Sequence, residues 1–403
     1  MRILRIIPTI DPEVGGPSNS AVNQAIAEAN AGVSTTFVFT GDEASARSTS
    51  RSRRRLEDSG VRTLMFPRPR WLSTQAGLWG VSLPLVAWLV RNVRRYDVVH
   101  VHYVWTLTTL VGAALGSVTG RPVVLTAHES LTRYDIDTAS GSVIKRRLKL
   151  ALRRVLMRRV DVVVCASPLE QRDSLQAGER GVVIYHPVVE HPREDPQPEP
   201  GQPPFVVGYL GRLHPKKNVD KALEAVAALP DARFVVCGDG DARYRQQLVS
   251  LADDLHVSDR TEWRGHVDAE GRQALFAECH VTVMPSSYEC FGMAGAEALA
   301  AGVPVVLTSS TGIASIVADD DSGCVVPRPE ASVLATALRS LQDSSPADRA
   351  SMRRRAITGA TKSLSFDAYG AAVHTLYLEL CTGASVSHDP AQETPIERLT
   401  AAS

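Results

Sequence analysis

Residues 281–307 read VTVMPSSYECFGMAGAEALAAGVPVVL. An apolar run ends at Pro285, a polar loop follows, and a helix of small residues reaches Ala301, where Gly302 and Pro304 stop it before a second apolar run. Strand, loop, helix and strand within so short a span make a βαβ unit. Continuous apolar strands joined by a helix lie parallel, with both faces of the sheet covered. Upstream the alternation continues: strands are expected at 205–210, 233–237 and 261–264, helices at 219–228, 242–254 and 270–277. A helix over 331–342 follows the quoted stretch. The first half repeats the scheme, with strand runs at 3–7, 34–39, 61–66, 98–101, 123–126, 162–165 and 182–185. Helical patterns fall at 20–31, 83–94, 106–117 and 144–159.

Between the halves, residues 191–204, HPREDPQPEPGQPP, hold six prolines and scarcely an apolar side chain, which is linker composition. The reading is therefore α/β: a Rossmann-like domain over 1–187, a Pro-rich linker over 188–204 and a second Rossmann-like domain over 205–362. A last helix, 363–381, is expected to pack back on the first domain, and 382–403 to be a disordered tail. Two doubly wound sheets facing one another would turn the carboxyl ends of their strands towards a central cleft, where open α/β sheets take ligands.

With 44 basic and 44 acidic residues the net charge is zero, but residues 1–187 hold 25 Lys/Arg against 15 Asp/Glu (25 − 15 = +10). The remaining 19 and 29 leave −10 on residues 188–403. The N-terminal half should attract anions. The six cysteines show neither a CxxC pair nor metal-ligand spacing, which suits a reducing cytoplasm. Residues 3–7 are too short for a signal-peptide core. The uncharged stretch 71–90 contains Ser73, Thr74, Gln75, Gly77, Gly80, Ser82 and Pro84 and reads as a loop and a buried helix, not a membrane span.

Two segments carry chemistry. In the quoted stretch Glu289 lies in the loop before the helix, and Glu297, eight positions on, in its second turn. Gly292 lets a ligand approach the backbone, and the N–H groups of Phe291, Gly292, Met293 and Ala294 form an anion-attracting helix start. The second segment, residues 209–220, YLGRLHPKKNVD, puts Arg212, Lys216 and Lys217 at the carboxyl end of a strand. Those charges suffice to neutralise a diphosphate without a metal. Taken singly, each segment could also be an Ala-rich core helix or a solvated basic loop.

Together, GRLxxxKN followed by ExFGxxxxEAxAxGxPVV resembles the signature of the family 4 retaining glycosyltransferases, which have the GT-B fold. VCGDG (236–240), WRGHV (263–267), VMPSSYE (283–289) and GGP (15–17) fall in the family's order, so the resemblance covers nearly the whole chain. It implies a hexosyltransferase acting from a nucleoside-diphosphate sugar on a glycan, lipid-linked glycan or small-molecule hydroxyl, with no cofactor and no metal. Arg212 and Lys217 would hold the donor's diphosphate, Glu297 the ribose hydroxyls and Glu289 the sugar. The backbone at His266 and Val267 would meet the base, and Gly16 the phosphate or acceptor. His128, after the 123–126 run, would stand beside the transferred sugar as a positioning group and not the base. The same-face mechanism, in which the departing phosphate helps remove the acceptor proton, and a double displacement through Glu289 both remain open. The loop after the PVV run reads SSTGI, with the single glycine Gly312 where the family often has two, and Glu129 follows His128 where other residues are common.

Asp319, Asp320 and Asp321 read as a surface turn in preference to a metal site. Residues 145–159, KRRLKLALRRVLMRR, hold eight basic and no acidic residues, with Leu148, Leu152, Val155 and Leu156 expected as an apolar stripe facing the core. A second basic cluster, residues 51–55, is expected in a Ser-rich loop. Such elements suit peripheral association with an anionic membrane, but a solvated charged surface is the weightier reading. Nucleic acid is not indicated, because no aromatic platform accompanies the charge. Rival readings on the same architecture are a nucleotide-sugar 2-epimerase, a phosphorylase-like enzyme and a non-catalytic nucleotide-sugar-binding subunit.

Overall fold

The computed structural model describes residues 1–12, 15–68, 82–138, 143–174, 180–196, 199–201 and 203–384. The expectation of a disordered tail, beyond residue 384, and the part of the uncharged stretch over 71–81 lie outside them. Two compact units emerge among the described residues, one from Met1–Pro187 together with 366–384, the other from Val188–Ser365.

The first unit is a parallel sheet of seven strands: β1 (Arg2–Ile6), β2 (Ser34–Gly41), β3 (Arg62–Pro67), β4 (Val98–His102), β5 (Val123–Thr126), β6 (Val162–Cys165) and β7 (Gly181–Val183). Their order is β3-β2-β1-β4-β5-β6-β7, so the direction of winding reverses between β1 and β4. The central strands are buried along nearly their whole length, as continuous apolar runs require when helices cover both faces. The helices are α1 (Gly16–Asn30), α2 (Glu43–Ser48), α3 (Ser50–Asp58), α4 (Leu83–Asn92), α5 (Leu107–Val118), α6 (Arg133–Thr138), α7 (Val143–Met157) and α8 (Pro168–Asp173).

Three expectations need correction here. Residues 51–55 belong to helix α3 and not to a loop. Arginine favours helix, Leu56 is fully buried, and Arg53 pairs with Glu57 one turn on, so the serines are outvoted. Helix α7 turns only part of its expected stripe inward: Leu156 is buried and Leu152 half-buried, but Leu148 and Val155 are 59% and 55% exposed, while Arg153 and Met157 are buried. The aliphatic stems of long basic side chains can occupy an inner face, as the buried Arg153 does, so the buried face is not fixed by the leucines alone. Helix α4 buries Leu85 and Leu89 but exposes Leu83 and Val90, so it is a surface helix.

The second unit has six parallel strands, β8 (Phe205–Leu210), β9 (Ala232–Cys237), β10 (Thr261–Gly265), β11 (Val281–Met284), β12 (Val305–Thr308) and β13 (Gly323–Val326). Their order, β10-β9-β8-β11-β12-β13, reverses between β8 and β11. The covering helices are α9 (Val219–Ala227), α10 (Ala242–Asp254), α11 (Ala269–Glu278), α12 (Met293–Ala300), α13 (Ala314–Asp319), α14 (Ala331–Gln342) and α15 (Pro346–Leu364). The described part of the Pro-rich segment runs along this unit: the N–H groups of Val188 and Val189 both donate to the Leu364 carbonyl, and Glu199 pairs with Arg349. Helix α16 (Phe366–Thr382) returns to the first unit, where Gly370 lets it lie against α1. A Cβ at Gly370 would come within 2.6 Å of the Ala27 carbonyl oxygen.

Candidate functional site

In the second unit the two chemistry-bearing loops leave β8 and β11, the strands flanking the reversal, where open α/β sheets leave a ligand crevice. After β8 the chain passes Gly211 and Arg212, takes a short 3-10 turn over Pro215–Lys217, and enters α9 through Asn218 in the left-handed region (φ 50°). This loop is fastened on two sides. Gly211 N–H donates to the Cys237 carbonyl at 3.0 Å and Leu213 N–H to that of Asp239 at 2.9 Å, tying it to the end of β9. The contact needs Gly238, whose Cβ would fall 1.8 Å from the Gly211 oxygen; that glycine is the middle of VCGDG. On the other side Asn218 Nδ2 donates to the Pro285 carbonyl (2.8 Å) and to Ser287 Oγ (2.9 Å), and Ser287 N–H donates to the Lys216 carbonyl.

These ties bring Lys217 and Glu289, 72 residues apart, into a direct ion pair, with both side chains mostly shielded from water. Glu289 is itself clamped by the loop after β12: its N–H donates to the Ser310 carbonyl at 2.9 Å, and Gly312 N–H donates to its carbonyl at 2.8 Å. Arg212 is exposed beside this pair in sequence, and the buried Tyr209 hydroxyl donates to its carbonyl at 3.0 Å. Burial and the neighbouring Glu289 charge hold the Tyr209 phenol well above its ordinary range, so it stays a neutral donor.

Helix α12 starts at Met293, capped by Gly292 in the left-handed region (φ 102°), where a Cβ would also meet Thr311 at 2.7 Å. The first intrahelical bond runs from Ala296 N–H to the Gly292 carbonyl, so the N–H groups of Met293, Ala294 and Gly295 precede the helix ladder. Phe291 lies just before the cap and is buried, its carbonyl accepting from Ile313 N–H. Glu297, in the second turn, pairs with Arg272 of α11 at 3.2 Å, a partner that no sequence motif indicated. Burial pushes the Glu297 carboxyl above its usual value, against the pull of Arg272. His266 is exposed and Val267 half-buried just beyond β10, and Gly265 accepts from Gly238 N–H at 2.7 Å. The aspartate triplet lies at the end of α13, where Asp321 pairs with Arg355 at 2.8 Å.

In the first unit Gly16 opens α1 after β1, and His128 follows β5, again at the carboxyl edge of the sheet. His128 and Glu129 both have positive φ (51° and 73°), as does Tyr103 beyond β4 (64°). Three consecutive-strand positions in sparsely populated backbone regions mark this edge as strained, and strain of that kind collects at functional sites. Glu170, whose N–H donates to the N-cap Ser167 of α8, secures the turn by accepting from Glu129 N–H at 2.8 Å and Ala166 N–H at 2.6 Å. The His128 ring is buried, tilted against Tyr103, and its Nε2 lies 3.0 Å from His102 Nδ1. Behind His102 sits Arg5, fully buried and paired with the equally buried Glu28 of α1. The sequence reading absorbed Arg5 into an apolar run and passed over His102. A basic residue within such a run, and the period-2 spacing of His100 and His102 in VVHVHY, were the available signals.

Residues 191–362 match the family of Glycosyl transferases group 1, and residues 15–187 match the Glycosyl transferase 4-like domain. A D-inositol 3-phosphate glycosyltransferase of Mycolicibacterium smegmatis is 29% identical over 266 residues, 62% of this chain and 61% of the relative. The chain thus spans about three fifths of the length of that relative. A GDP-mannose-dependent alpha-(1-6)-phosphatidylinositol dimannoside mannosyltransferase of Mycobacterium tuberculosis is 27% identical over 363 residues, 85% of this chain and 87% of the relative. Among solved structures, Anabaena Alr3699/HepE in complex with UDP superposes with a TM-score of 0.71 at 20% identity, covering 94% of this chain and all of the other, which shows the GT-B fold. With both modules matched in order along its length, the chain belongs to the family 4 glycosyltransferases.

Proposed function

We propose that the protein transfers a hexose-type sugar from a nucleoside-diphosphate sugar to a hydroxyl of a glycan, lipid-linked glycan or small molecule, with retention of configuration and without a metal. The observation that carries the reading is the Lys217–Glu289 pair beside Arg212 and the start of α12, at the sheet's point of reversal. Two cations and three forward-pointing N–H groups supply the counter-charge for a diphosphate, which is the role a metal would otherwise fill. That relatives are GDP-mannose-dependent, and that a structural neighbour holds UDP, supports a nucleotide-sugar donor.

In this reading Arg212 and Lys217 stabilise the charge that grows on the leaving diphosphate, and Glu289 accepts hydrogen bonds from the sugar. Glu297 accepts from the ribose hydroxyls, the backbone at His266 and Val267 meets the base, and Phe291, Gly292, Met293 and Ala294 line the phosphates. Gly16 approaches the phosphate or acceptor, and His128 positions the sugar. Pairing with Lys217 neutralises Glu289 and weakens it as a nucleophile, which favours same-face displacement: the C1–diphosphate bond breaks, the acceptor oxygen bonds C1 from the same side, and the acceptor proton passes to the departing phosphate. The test is turnover with UDP-, GDP- and TDP-sugars in excess EDTA, followed by the anomeric configuration of the product. Nucleoside diphosphate release that survives chelation and an axial-to-axial product are expected; loss of turnover restored by Mg²⁺ or Mn²⁺, or an inverted product, overturns the corresponding part.

A membrane-surface acceptor has its own support. No helix among the described residues is long and apolar enough to cross a membrane. Yet six of the eight exposed large apolar side chains described lie on α4, α5 and α7. Leu83 and Val90 are seven residues apart, as are Leu148 and Val155, so each pair lies along one helix face, with basic residues beside it. Sedimentation with vesicles containing anionic lipid, but not with zwitterionic ones, is expected, and Leu148→Asp with Val155→Asp should abolish it.

A further inference from the structure

The interior behind His128 is a closed hydrogen-bond circuit whose polarity can be worked out from Arg5. A guanidinium has five N–H donors and no acceptor. All five are placed: Nε and Nη2 each donate to a Glu28 carboxylate oxygen, Nη2 also to Tyr369 Oη at 2.9 Å, and Nη1 to Gln24 Oε1 at 3.0 Å and His102 Nε2 at 2.7 Å. His102 Nε2 must therefore carry its lone pair, so the single proton of the neutral ring sits on Nδ1. That Nδ1–H faces His128 Nε2 at 3.0 Å, so His128 Nε2 is in turn an acceptor and its proton sits on Nδ1.

The other branches agree. Tyr377 Oη gives its proton to Glu28 at 2.6 Å and so accepts from His100 Nδ1, also at 2.6 Å. His100 Nε2 then accepts from Thr126 Oγ1 at 2.8 Å. Gln24, with its oxygen taken by Arg5, donates its amide to His186 Nδ1 at 3.0 Å. No ring in the circuit has a place for a second proton, which would also be set against the Arg5 charge in a buried site.

We propose that Arg5 is a positioning residue which, relayed through His102, locks His128 as a neutral ring whose one N–H is Nδ1–H. The inference rests on the reading of His128 as a group beside the transferred sugar, and it specifies what that group offers: a fixed hydrogen-bond donor for a sugar or acceptor oxygen, never a general base through Nε2. The buried pair with Glu28 keeps the guanidinium's orientation, so the polarity set at β1 is delivered two strands away. This Nδ1–H form is the less populated tautomer of a free histidine side chain in water, so the circuit imposes a choice the ring would not make alone.

The test reads the tautomer itself. On the full-length protein labelled with ¹⁵N-histidine, two-bond ¹H–¹⁵N correlations should assign Nδ1–H to His102 and His128 and Nε2–H to His186. His128 as the Nε2–H form or as a cation overturns the proposal. His102→Gln can still accept from Arg5 through its oxygen and donate to His128 through its amide. It should keep the His128 tautomer and transfer within about threefold of the parent, whereas His102→Leu should release the tautomer and lower kcat by about tenfold or more. If His102→Leu fails to fold, the parent spectrum and His102→Gln still decide the matter: a changed tautomer in the Gln variant overturns the relay. The spectral result does not need turnover. Nδ1–H on His128 without sugar transfer from any donor would uphold the circuit and sink the functional reading on which its purpose rests.

Discussion

At the scale of single residues, the ion pairs Arg5–Glu28 and Lys217–Glu289 are built for different ends. Arg5–Glu28 is fully buried with every donor satisfied, so removing one partner strands the other and should cost about 3–5 kcal/mol of stability. Lys217–Glu289, though mostly shielded, keeps some contact with solvent, and its disruption should be felt in chemistry more than in folding. Lys217→Ala and Arg212→Ala are expected to lower kcat by about 100-fold or more, roughly 3 kcal/mol, with the melting temperature nearly unchanged. An unchanged kcat in steady-state assays would place the diphosphate elsewhere. The buried imidazoles also make stability pH-dependent. Burial and the Arg5 charge hold His100, His102 and His128 well below the usual imidazole value, and His186 at about 3. A depressed value means that the unfolded chain binds the proton first, so their contribution is whole above about pH 6.5 and is lost as pH falls towards the folded values. Glu170, raised by burial to about 7, opposes this: its contribution is present below the ordinary glutamate value and lost as pH rises through 7. Four groups outweigh one. Thermal melts from pH 7.5 to 5.5 should show net destabilisation, at up to about 1.4 kcal/mol per pH unit for each imidazole that must stay neutral.

At the scale of elements, the loop after β8 owes its shape to a neighbour with no side chain. Gly238→Ala would set a methyl group against the Gly211 oxygen and force a residue with φ 149° out of its region. It should lower nucleotide affinity in calorimetry together with the melting temperature, whereas Gly265→Ala, where a Cβ meets nothing within 4 Å and only the φ of 65° is strained, should cost less stability and spare the loop contact. The strands were legible in the sequence because parallel strands buried on both faces are continuous apolar runs, and each run from Ile3 to Leu307 became one. The loops of the second unit were legible because their glycines, lysines and glutamates recur at motif spacing. Helix faces were less so. The stripe on α7 gave a period but not a direction, since arginine stems can occupy the inner face, and α3 was hidden by serines whose preference for turns yielded to tertiary burial of Leu56. Arg272 and the Arg5 circuit were invisible for another reason. Their partners lie on other elements, and pairings across 19 to 364 residues leave no local pattern.

At the scale of the whole chain, the two units differ in how they are strung. The second, Val188–Ser365, is continuous, whereas the first is closed by α16. A fragment of residues 188–365 should therefore fold and bind a nucleoside diphosphate weakly without catalysing transfer, while residues 1–187 alone should fail to reach a cooperative melt. A cooperative melt from residues 1–187 would show that α16 is dispensable. The reason for the asymmetry is that Tyr369 and Tyr377 of α16 complete the hydrogen bonds of Arg5 and Glu28, at the far end of the sequence. Synthesis on the ribosome then inverts the usual order of maturation, in which the leading domain folds first. The N-terminal unit must leave the exit tunnel with its ion pair unfinished and wait, in reach of chaperones, until the entire second unit and then α16 have followed. Stalled nascent chains ending before residue 366 should remain protease-sensitive in the first unit even where the second is already protected.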